Sequence, residues 1–163
     1  RFLDEILKVV DRIPIVKDAE YVISALQNKG YICGIISDSY DVVANHLKNQ
    51  LGLDFSIGNE LEFSKSIATG EVKIPSSFIR TRHSTCNHDY CKSNVLFQLA
   101  EKYAIEVRNI IAIGDSENDM CMIRESGTGI AFCSNNKFLN LVADRIINVK
   151  SFMPVLEIAS RYE

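Results

Sequence analysis

The chain has 163 residues, of which 47% are hydrophobic and 24% charged, a composition typical of one ordinary soluble domain. Its formal net charge of -3, with acidic and basic residues interspersed, argues against a nucleic-acid partner, because phosphate contacts need clustered Lys and Arg. No apolar run is long enough to cross a bilayer and none resembles a signal peptide, so we expect a cytoplasmic protein without a membrane partner.

The first residues have the hydrophobic spacing of an amphipathic helix that ends before Pro14. Its apolar positions are Phe2, Ile6, Leu7 and Val10. The sequence enters this pattern at Arg1 without a methionine, so we expect a truncated N-terminus. A second helix opens at Asp18 and ends near Gly30, a residue suited to the left-handed cap position.

Two short apolar segments, residues 31–37 and 109–115, predict strands that are buried on both faces. A helix is expected to start at Asp38-Ser39 and to continue to Leu51, and another at Lys92. The remaining predicted elements are a β-ribbon over 59–74, a polar surface loop over 75–91, and strands near 129–132 and 145–149.

Strands that alternate with helices over this length predict the α/β class, with a doubly wound and mostly parallel sheet covered on both sides. In such sheets, ligands bind beyond the carboxyl ends of the strands. The pairs Ser37-Asp38 and Gly114-Asp115, which end the two buried strands, are therefore expected at the rim of a site.

The segment GDSENDM, residues 114–120, carries two carboxylates that are expected to face one point. Asp115 closes a strand, and Asp119 lies four residues later on the opening turn of a helix. Carboxylate oxygens suit Mg²⁺, which keeps several waters and uses one or two protein carboxylates. The alternative is that both residues only cap the helix, since acidic residues favour helix N-termini.

Two further residues suit a phosphoryl group at the same site. Lys92 would supply fixed positive charge, and the hydroxyl of Ser37, with backbone N–H groups at the start of a helix, would bind another phosphate oxygen. Taken singly, Lys92 is more often a solvated residue and Ser37 a plain cap. Their order along the chain, together with the acidic segment, makes the set specific.

In this order of motifs the sequence resembles the haloacid dehalogenase superfamily, and in particular its phosphoserine phosphatases. The second, third and fourth motifs of that superfamily look like Ser37 after GII, Lys92 in CKSNVL, and GDSENDM. The resemblance implies a Rossmann-like sheet that lacks its first strand, with residues 1–14 as the end of a helical cap and 15–163 as the core. It also implies an enzyme that hydrolyses small phosphate monoesters.

Carried over residue by residue, the resemblance assigns Asp115 as a Mg²⁺ ligand and Asp119 as a second metal-site residue that orients Lys92 or a metal-bound water. Lys92 would hold the phosphate and an attacking aspartate in register. Ser37 would hydrogen-bond a phosphate oxygen, and Asn118 would contact the phosphate or the surroundings of the nucleophile. The catalytic set expected from the resemblance is thus Lys92, Ser37 and Asp119.

The first motif of the superfamily, D-x-D-x-T/V, supplies the nucleophile, and no such motif lies upstream of Ser37. Asp38 also follows an apolar strand, as the nucleophile of that motif would. However, the next aspartate, Asp41, comes three residues later, whereas the motif requires it two residues later, and the flanking residues resemble the second motif. We therefore expect the nucleophile in a missing segment and expect this chain alone to be inactive. The alternative is an inactive domain that binds phosphorylated ligands or a protein.

The substrate expected from the resemblance is a small phosphorylated metabolite such as phosphoserine. Asp38 and Ser39, assigned to the substrate-binding rim, stand where phosphoserine phosphatases generally have two glycines. The carboxylate of Asp38 should repel a substrate carboxylate or favour an ammonium group. The sequence does not distinguish hydrolysis from transfer of the phosphoryl group to another alcohol. It also does not distinguish a monomer from a homodimer.

The polar loop also carries residue types that tetrahedral Zn²⁺ accepts. They are His83, Cys86, His88 and Cys91. Their spacing matches no familiar zinc-finger pattern, so we interpret them as loop residues that do not converge on a metal. Cys121, in the run of residues 120–123, is interpreted as core packing of the helix after the acidic segment.

Overall fold

The computed structural model describes residues 1–161, which form two compact units. One unit comprises Arg1–Pro75 and the described residues from Ser151 onward, and the other comprises Ser76–Lys150. Each unit contains a three-stranded sheet with helices between its strands. The prediction of the α/β class is confirmed, and the strands are divided between two sheets.

The first unit contains four helices and three strands. Its helices are α1 (Leu3–Val10), α2 (Ala19–Asn28), α3 (Asp41–Leu51) and α7 (Met153–Ser160). Its strands are β1 (Gly34–Tyr40), β2 (Phe55–Ser64) and β3 (Ile67–Lys73). β1 pairs with β2 in parallel, and β2 pairs with β3 in an antiparallel hairpin, which confirms the predicted ribbon.

The prediction that a helix begins at Asp38-Ser39 was wrong, because β1 continues to Tyr40 and α3 begins at Asp41. The pairing of β1 with β2 shifts between Ile36 and Tyr40, so residues 37–39 bulge out of the regular ladder. The Ser39 N–H donates to the Ser37 hydroxyl at 3.0 Å, which satisfies this backbone group without a helix.

The second unit contains three strands that are all parallel. They are β4 (Ile111–Gly114), β5 (Thr128–Phe132) and β6 (Arg145–Ile147), in the order β4-β5-β6. The helices are α4 (Lys92–Lys102), α5 (Met120–Glu125) and α6 (Lys137–Val142), and a 3₁₀ turn, Glu117–Asp119, precedes α5. The predicted strands near 109–115, 129–132 and 145–149 are confirmed with shifted ends.

The polar loop of the second unit is closed at its base. Ile79 and Tyr90 form an isolated antiparallel bridge, and the Cys91 N–H donates to the Phe78 carbonyl at 2.9 Å. Phe78 itself is 3% exposed, so it anchors the loop in the core of this unit. The loop therefore folds back to the start of α4.

The two strands that end in the predicted motifs share a topological feature. In the sheet order, β1 and β4 each lie at an edge, with one paired neighbour among the described residues.

The core of the second unit includes the fully buried Val95, Ile123 and Ile130. No helix in the described part of the chain is long and apolar enough to span a membrane.

Candidate active site and cysteine cluster

The centre of the candidate site in the second unit is an ion pair between Lys92 and Asp119. The Lys92 ammonium lies 2.6 Å from Asp119 Oδ1, and the two side chains are 11% and 6% exposed. Lys92 is the first residue of α4, and Asp119 ends the 3₁₀ turn after β4. The fold thus brings together two of the predicted site residues.

The second carboxylate oxygen of Asp119 fastens the turn that follows β4. Its Oδ2 accepts hydrogen bonds from the backbone N–H groups of Asp115 and Ser116, at 3.0 and 3.3 Å. A Cβ at Gly114 would lie 2.4 Å from the Asp119 Cβ, so only glycine leaves room for this side chain. The Asp119 side chain therefore closes the 3₁₀ turn and makes no side-chain cap hydrogen bond to α5, and its contact with Lys92 comes in addition.

Asp115 lies directly after β4, and its side chain is exposed. Its backbone carbonyl accepts a hydrogen bond of 2.6 Å from the hydroxyl of Ser134, which fixes the main chain. Within residues 1–161 the structure gives its carboxylate no hydrogen bond or ion pair. Asn118 is also exposed, in the 3₁₀ turn. Asp115 thus presents oxygen ligands of the kind that Mg²⁺ prefers.

The remaining predicted site residues, Ser37, Asp38 and Ser39, lie in the bulge of β1 in the first unit. Ser37 is half-buried and Asp38 and Ser39 are exposed. The Asp38 carbonyl accepts a hydrogen bond of 2.8 Å from the side-chain amide of Asn59 on β2. The bulge is thus held in place at the carboxyl end of its strand.

A second group of reactive side chains lies elsewhere in the second unit. The ligand atoms of its four residues all lie within 4.8 Å of one another; the residues are Cys86, His88, Cys91 and Cys121. Cys91 and Cys121 are buried, Cys86 is half-buried and His88 is exposed. We call this group the cysteine cluster.

The environment changes the acidity of two thiols in the cysteine cluster in opposite directions. Burial raises the pKa of Cys86, but hydrogen bonds from His88, Ser93 and Cys91 outweigh it and lower the pKa to about 6. Burial, together with the charges of Cys91 and Cys86, raises the pKa of Cys121 to about 12. Negative charge on the neighbouring sulfur atoms thus disfavours ionisation of the Cys121 thiol.

The structure brings together three of the four loop residues that the sequence singled out. Cys86, His88 and Cys91 converge, whereas the exposed His83 accepts a hydrogen bond from the Arg82 guanidinium and lies outside the cluster. Cys121 takes the fourth place. It is buried as expected for a core residue, yet its sulfur lies 3.5 Å from His88 Nδ1.

Curated relatives and solved structures place these features in context. The chain is 28% identical over 155 residues to a phosphoserine phosphatase of Methanocaldococcus jannaschii. This alignment covers 95% of this chain and 68% of the relative. It is 30% identical over 146 residues to a phosphoserine phosphatase of Archaeoglobus fulgidus, covering 90% of this chain and 39% of the relative. The chain thus spans only part of each relative.

Solved structures of phosphoserine phosphatases also resemble this chain. A solved phosphoserine phosphatase, described as an analogue of its phospho-aspartyl intermediate, superposes with a TM-score of 0.79 at 27% identity. The match covers 96% of this chain and 70% of the solved one. A family model for haloacid dehalogenase-like hydrolases matches residues 1–124. The chain therefore belongs to the haloacid dehalogenase-like hydrolase family.

Proposed function

We propose that this chain is the phosphate- and metal-binding part of a Mg²⁺-dependent phosphatase that acts on small phosphate monoesters. The observation that carries the proposal is the buried ion pair of Lys92 and Asp119. Asp119 lies in the turn directly after β4, the strand that ends next to Asp115. A lysine held in one position by a carboxylate offers fixed positive charge to phosphate oxygens without reorganisation during the reaction.

The contacts of the two carboxylates support different roles for them. Both oxygens of Asp119 already accept hydrogen bonds, so we assign it as a positioning residue for Lys92 and for the turn after β4. Asp115 has an exposed carboxylate, and we assign it as the Mg²⁺ ligand. When bound, Mg²⁺ would offset the negative charge of the phosphate and of an attacking carboxylate.

We place the attacking aspartate in a polypeptide segment outside these 163 residues. No D-x-D-x-T/V motif occurs in the sequence, and Asp38 is followed by Asp41 at the wrong spacing. The edge positions of β1 and β4 support this placement, because an unpaired edge can accept a further strand. In the proposed reaction, the phosphoryl group moves to that aspartate, and water then hydrolyses the aspartyl phosphate.

The proposed substrate class is a small phosphorylated metabolite that carries an ammonium group, of which phosphoserine is one example. Two observations support it: the relatives at 28% and 30% identity are phosphoserine phosphatases, and the exposed Asp38 lies next to Ser37 at the end of a strand. A carboxylate at that position would attract the ammonium group of such a substrate.

The test is phosphate release by the full-length protein from phosphoserine and from p-nitrophenyl phosphate, with and without Mg²⁺. We expect release that requires Mg²⁺ and that falls by at least about 100-fold in Lys92→Ala, since removing one group that stabilises transition-state charge costs this much. Lys102→Ala is the matched control, because Lys102 ends the same helix and is exposed. It should retain activity.

The same assay separates the alternatives. Retained phosphate binding without any release by the full-length protein would favour an inactive phospholigand-binding domain. The 163-residue chain alone should bind phosphate but release none. If it hydrolyses p-nitrophenyl phosphate and loses this activity in Asp38→Asn, the nucleophile is Asp38 and our placement is wrong.

A further inference from the structure

We propose that the cysteine cluster is a structural Zn²⁺ site with four protein ligands, namely Cys86, His88, Cys91 and Cys121. All four belong to the second unit, and their ligand atoms lie within 4.8 Å of one another. The site is separate from the Mg²⁺ site proposed at Asp115, and it does not depend on whether the protein is a phosphatase.

The spacing of the ligand atoms is close to that of a zinc tetrahedron. Bonds of about 2.3 Å to sulfur and 2.0–2.1 Å to nitrogen place neighbouring ligand atoms roughly 3.5–3.8 Å apart. Cys121 Sγ and His88 Nδ1 are already 3.5 Å apart. All separations lie within 4.8 Å, so closing them to tetrahedral spacing requires side-chain movements of no more than about 1 Å, which the exposed loop that carries His88 can supply.

The donor set also identifies the class of metal. Three sulfur ligands and one imidazole form a Cys₃His set, which is one of the sets found in structural zinc sites. Mg²⁺ and Ca²⁺ require oxygen ligands, and no carboxylate belongs to the cluster. With all four positions filled by protein, no position remains for a substrate, so the expected role is structural.

A buried hydroxyl lies among the sulfur atoms and supports this assignment. Ser93 is 0% exposed and donates a hydrogen bond of 3.1 Å to the Cys91 sulfur, and its oxygen lies 3.8 Å from the Cys86 sulfur. A buried hydroxyl needs a partner, and a metal-bound thiolate is a better acceptor than a neutral thiol. Such hydrogen bonds to the ligands are a regular feature of metal sites.

The composition of the loop is one that a metal cross-link would stabilise. Residues 80–90 are almost all polar, and most of their side chains are exposed, so apolar packing contributes little to their order. The bridge between Ile79 and Tyr90 closes the base of the loop, and two residues of the cysteine cluster, Cys86 and His88, belong to the loop between them. Metal binding would supply the free energy that apolar burial does not.

The position of the cluster gives the metal a consequence for the candidate active site. Cys91 immediately precedes Lys92, and Cys121 follows Asp119 by two residues. An ion that binds both sulfurs would therefore hold the start of α4 against the start of α5. These are the two segments that are joined by the ion pair of Lys92 and Asp119.

Packing of free thiols as small apolar groups is the alternative explanation for buried cysteines. It accounts for Cys91 and Cys121, but it does not account for the half-buried Cys86 or for an exposed imidazole turned toward a sulfur atom. Cys33 and Cys133 show the contrast, since neither belongs to a group of metal-ligand atoms anywhere in residues 1–161.

The test is the zinc content of the full-length protein after purification in zinc-supplemented medium without chelators, measured by mass spectrometry of the metal. We expect about one zinc per chain. The variants Cys86→Ser, His88→Ala and Cys121→Ser should bind zinc at least about 100-fold more weakly, because even the loss of an outer hydrogen bond costs 10- to 100-fold. His83→Ala and Cys133→Ser are the matched controls and should retain the zinc.

Two further measurements keep the test decisive if a variant fails to fold. His88→Cys should retain zinc in an all-thiolate site. Co²⁺ added to the metal-free wild type should give the absorption spectrum of tetrahedral thiolate coordination, and this spectrum should differ in His88→Cys. Absence of zinc and of this Co²⁺ spectrum in folded wild-type protein would overturn the proposal. So would a disulfide between Cys86 and Cys91, or a loss of zinc in His83→Ala as large as in His88→Ala.

Discussion

The ammonium group of Lys92 lies 2.6 Å from a carboxylate oxygen of Asp119, although 27 residues separate them in sequence. The pair joins the first residue of α4 to the turn after β4, and both side chains are almost completely shielded from water. Because charge in such surroundings is costly unless it is paired, each residue fixes the position of the other.

Replacing Asp119 with alanine should destabilise the protein more than replacing Lys92 with methionine. The first change removes the carboxylate that accepts hydrogen bonds from the Lys92 ammonium and from two backbone N–H groups, whereas the second leaves the turn after β4 intact. We expect about 3–5 kcal/mol for Asp119→Ala, measured by urea unfolding. Glu106→Ala, which breaks the exposed pair with Arg108, is the control and should change the free energy of unfolding by less than about 1 kcal/mol.

Gly114→Ala should reduce stability by about 1–3 kcal/mol, because the added Cβ would lie 2.4 Å from the Asp119 Cβ and would displace that side chain. The displacement should also weaken binding of inorganic phosphate through Lys92. Thermal unfolding and phosphate titration measure the two effects. An unchanged melting temperature would show that Asp119 does not pack against the end of β4 as the structure has it.

Asp41→Ala should loosen the bulge that holds Ser37. Asp41 Oδ1 accepts hydrogen bonds from the N–H groups of Val42 and Leu61, at 2.9 and 3.2 Å, and so joins the start of α3 to β2. We expect a loss of about 1–3 kcal/mol in the free energy of unfolding, since two partly buried donors lose their acceptor. Asp41→Asn keeps an acceptor oxygen and should lose clearly less; equal losses would contradict this account.

Ser93→Ala should weaken zinc binding by about 10- to 100-fold without removing a ligand, because the hydroxyl donates to the Cys91 sulfur. Competition with a chromophoric chelator measures the affinity. Ser126→Ala is the matched control, since Ser126 is also buried but donates to the Ile123 carbonyl, outside the cysteine cluster. Equal zinc affinity of the wild type and Ser93→Ala would remove Ser93 from the site.

Much of the local structure could be predicted from the sequence because it depends on short-range patterns. The apolar run before Asp115 and the helical spacing after Lys92 predicted β4 and α4, and both are present. The turn at Gly114 and the cap at Asp119 follow from residues no more than five positions apart. The chain order of Ser37, Lys92 and Asp115 was sufficient to indicate the family.

Where tertiary contacts compete with local preference, the sequence was less informative. Asp38 and Ser39 are residues that favour the start of a helix, but pairing with β2 extends β1 through them to Tyr40. Likewise, the sequence left open whether Asp119 caps a helix or orients Lys92. In the structure one oxygen of its carboxylate contacts Lys92, and the other accepts from the turn before α5 and not from α5 itself.

The sequence by itself determined the fold class, the family and the candidate residues around Lys92 and Asp115, since each rests on periodicity or on motifs within a few residues. Only the tertiary structure decided that Cys121 joins His88 while His83 does not. His83 is close to the other loop residues in sequence, but it turns to Arg82. Cys121 is 33 residues from His88 and reaches it because the packing of α5 against α4 brings the two segments together.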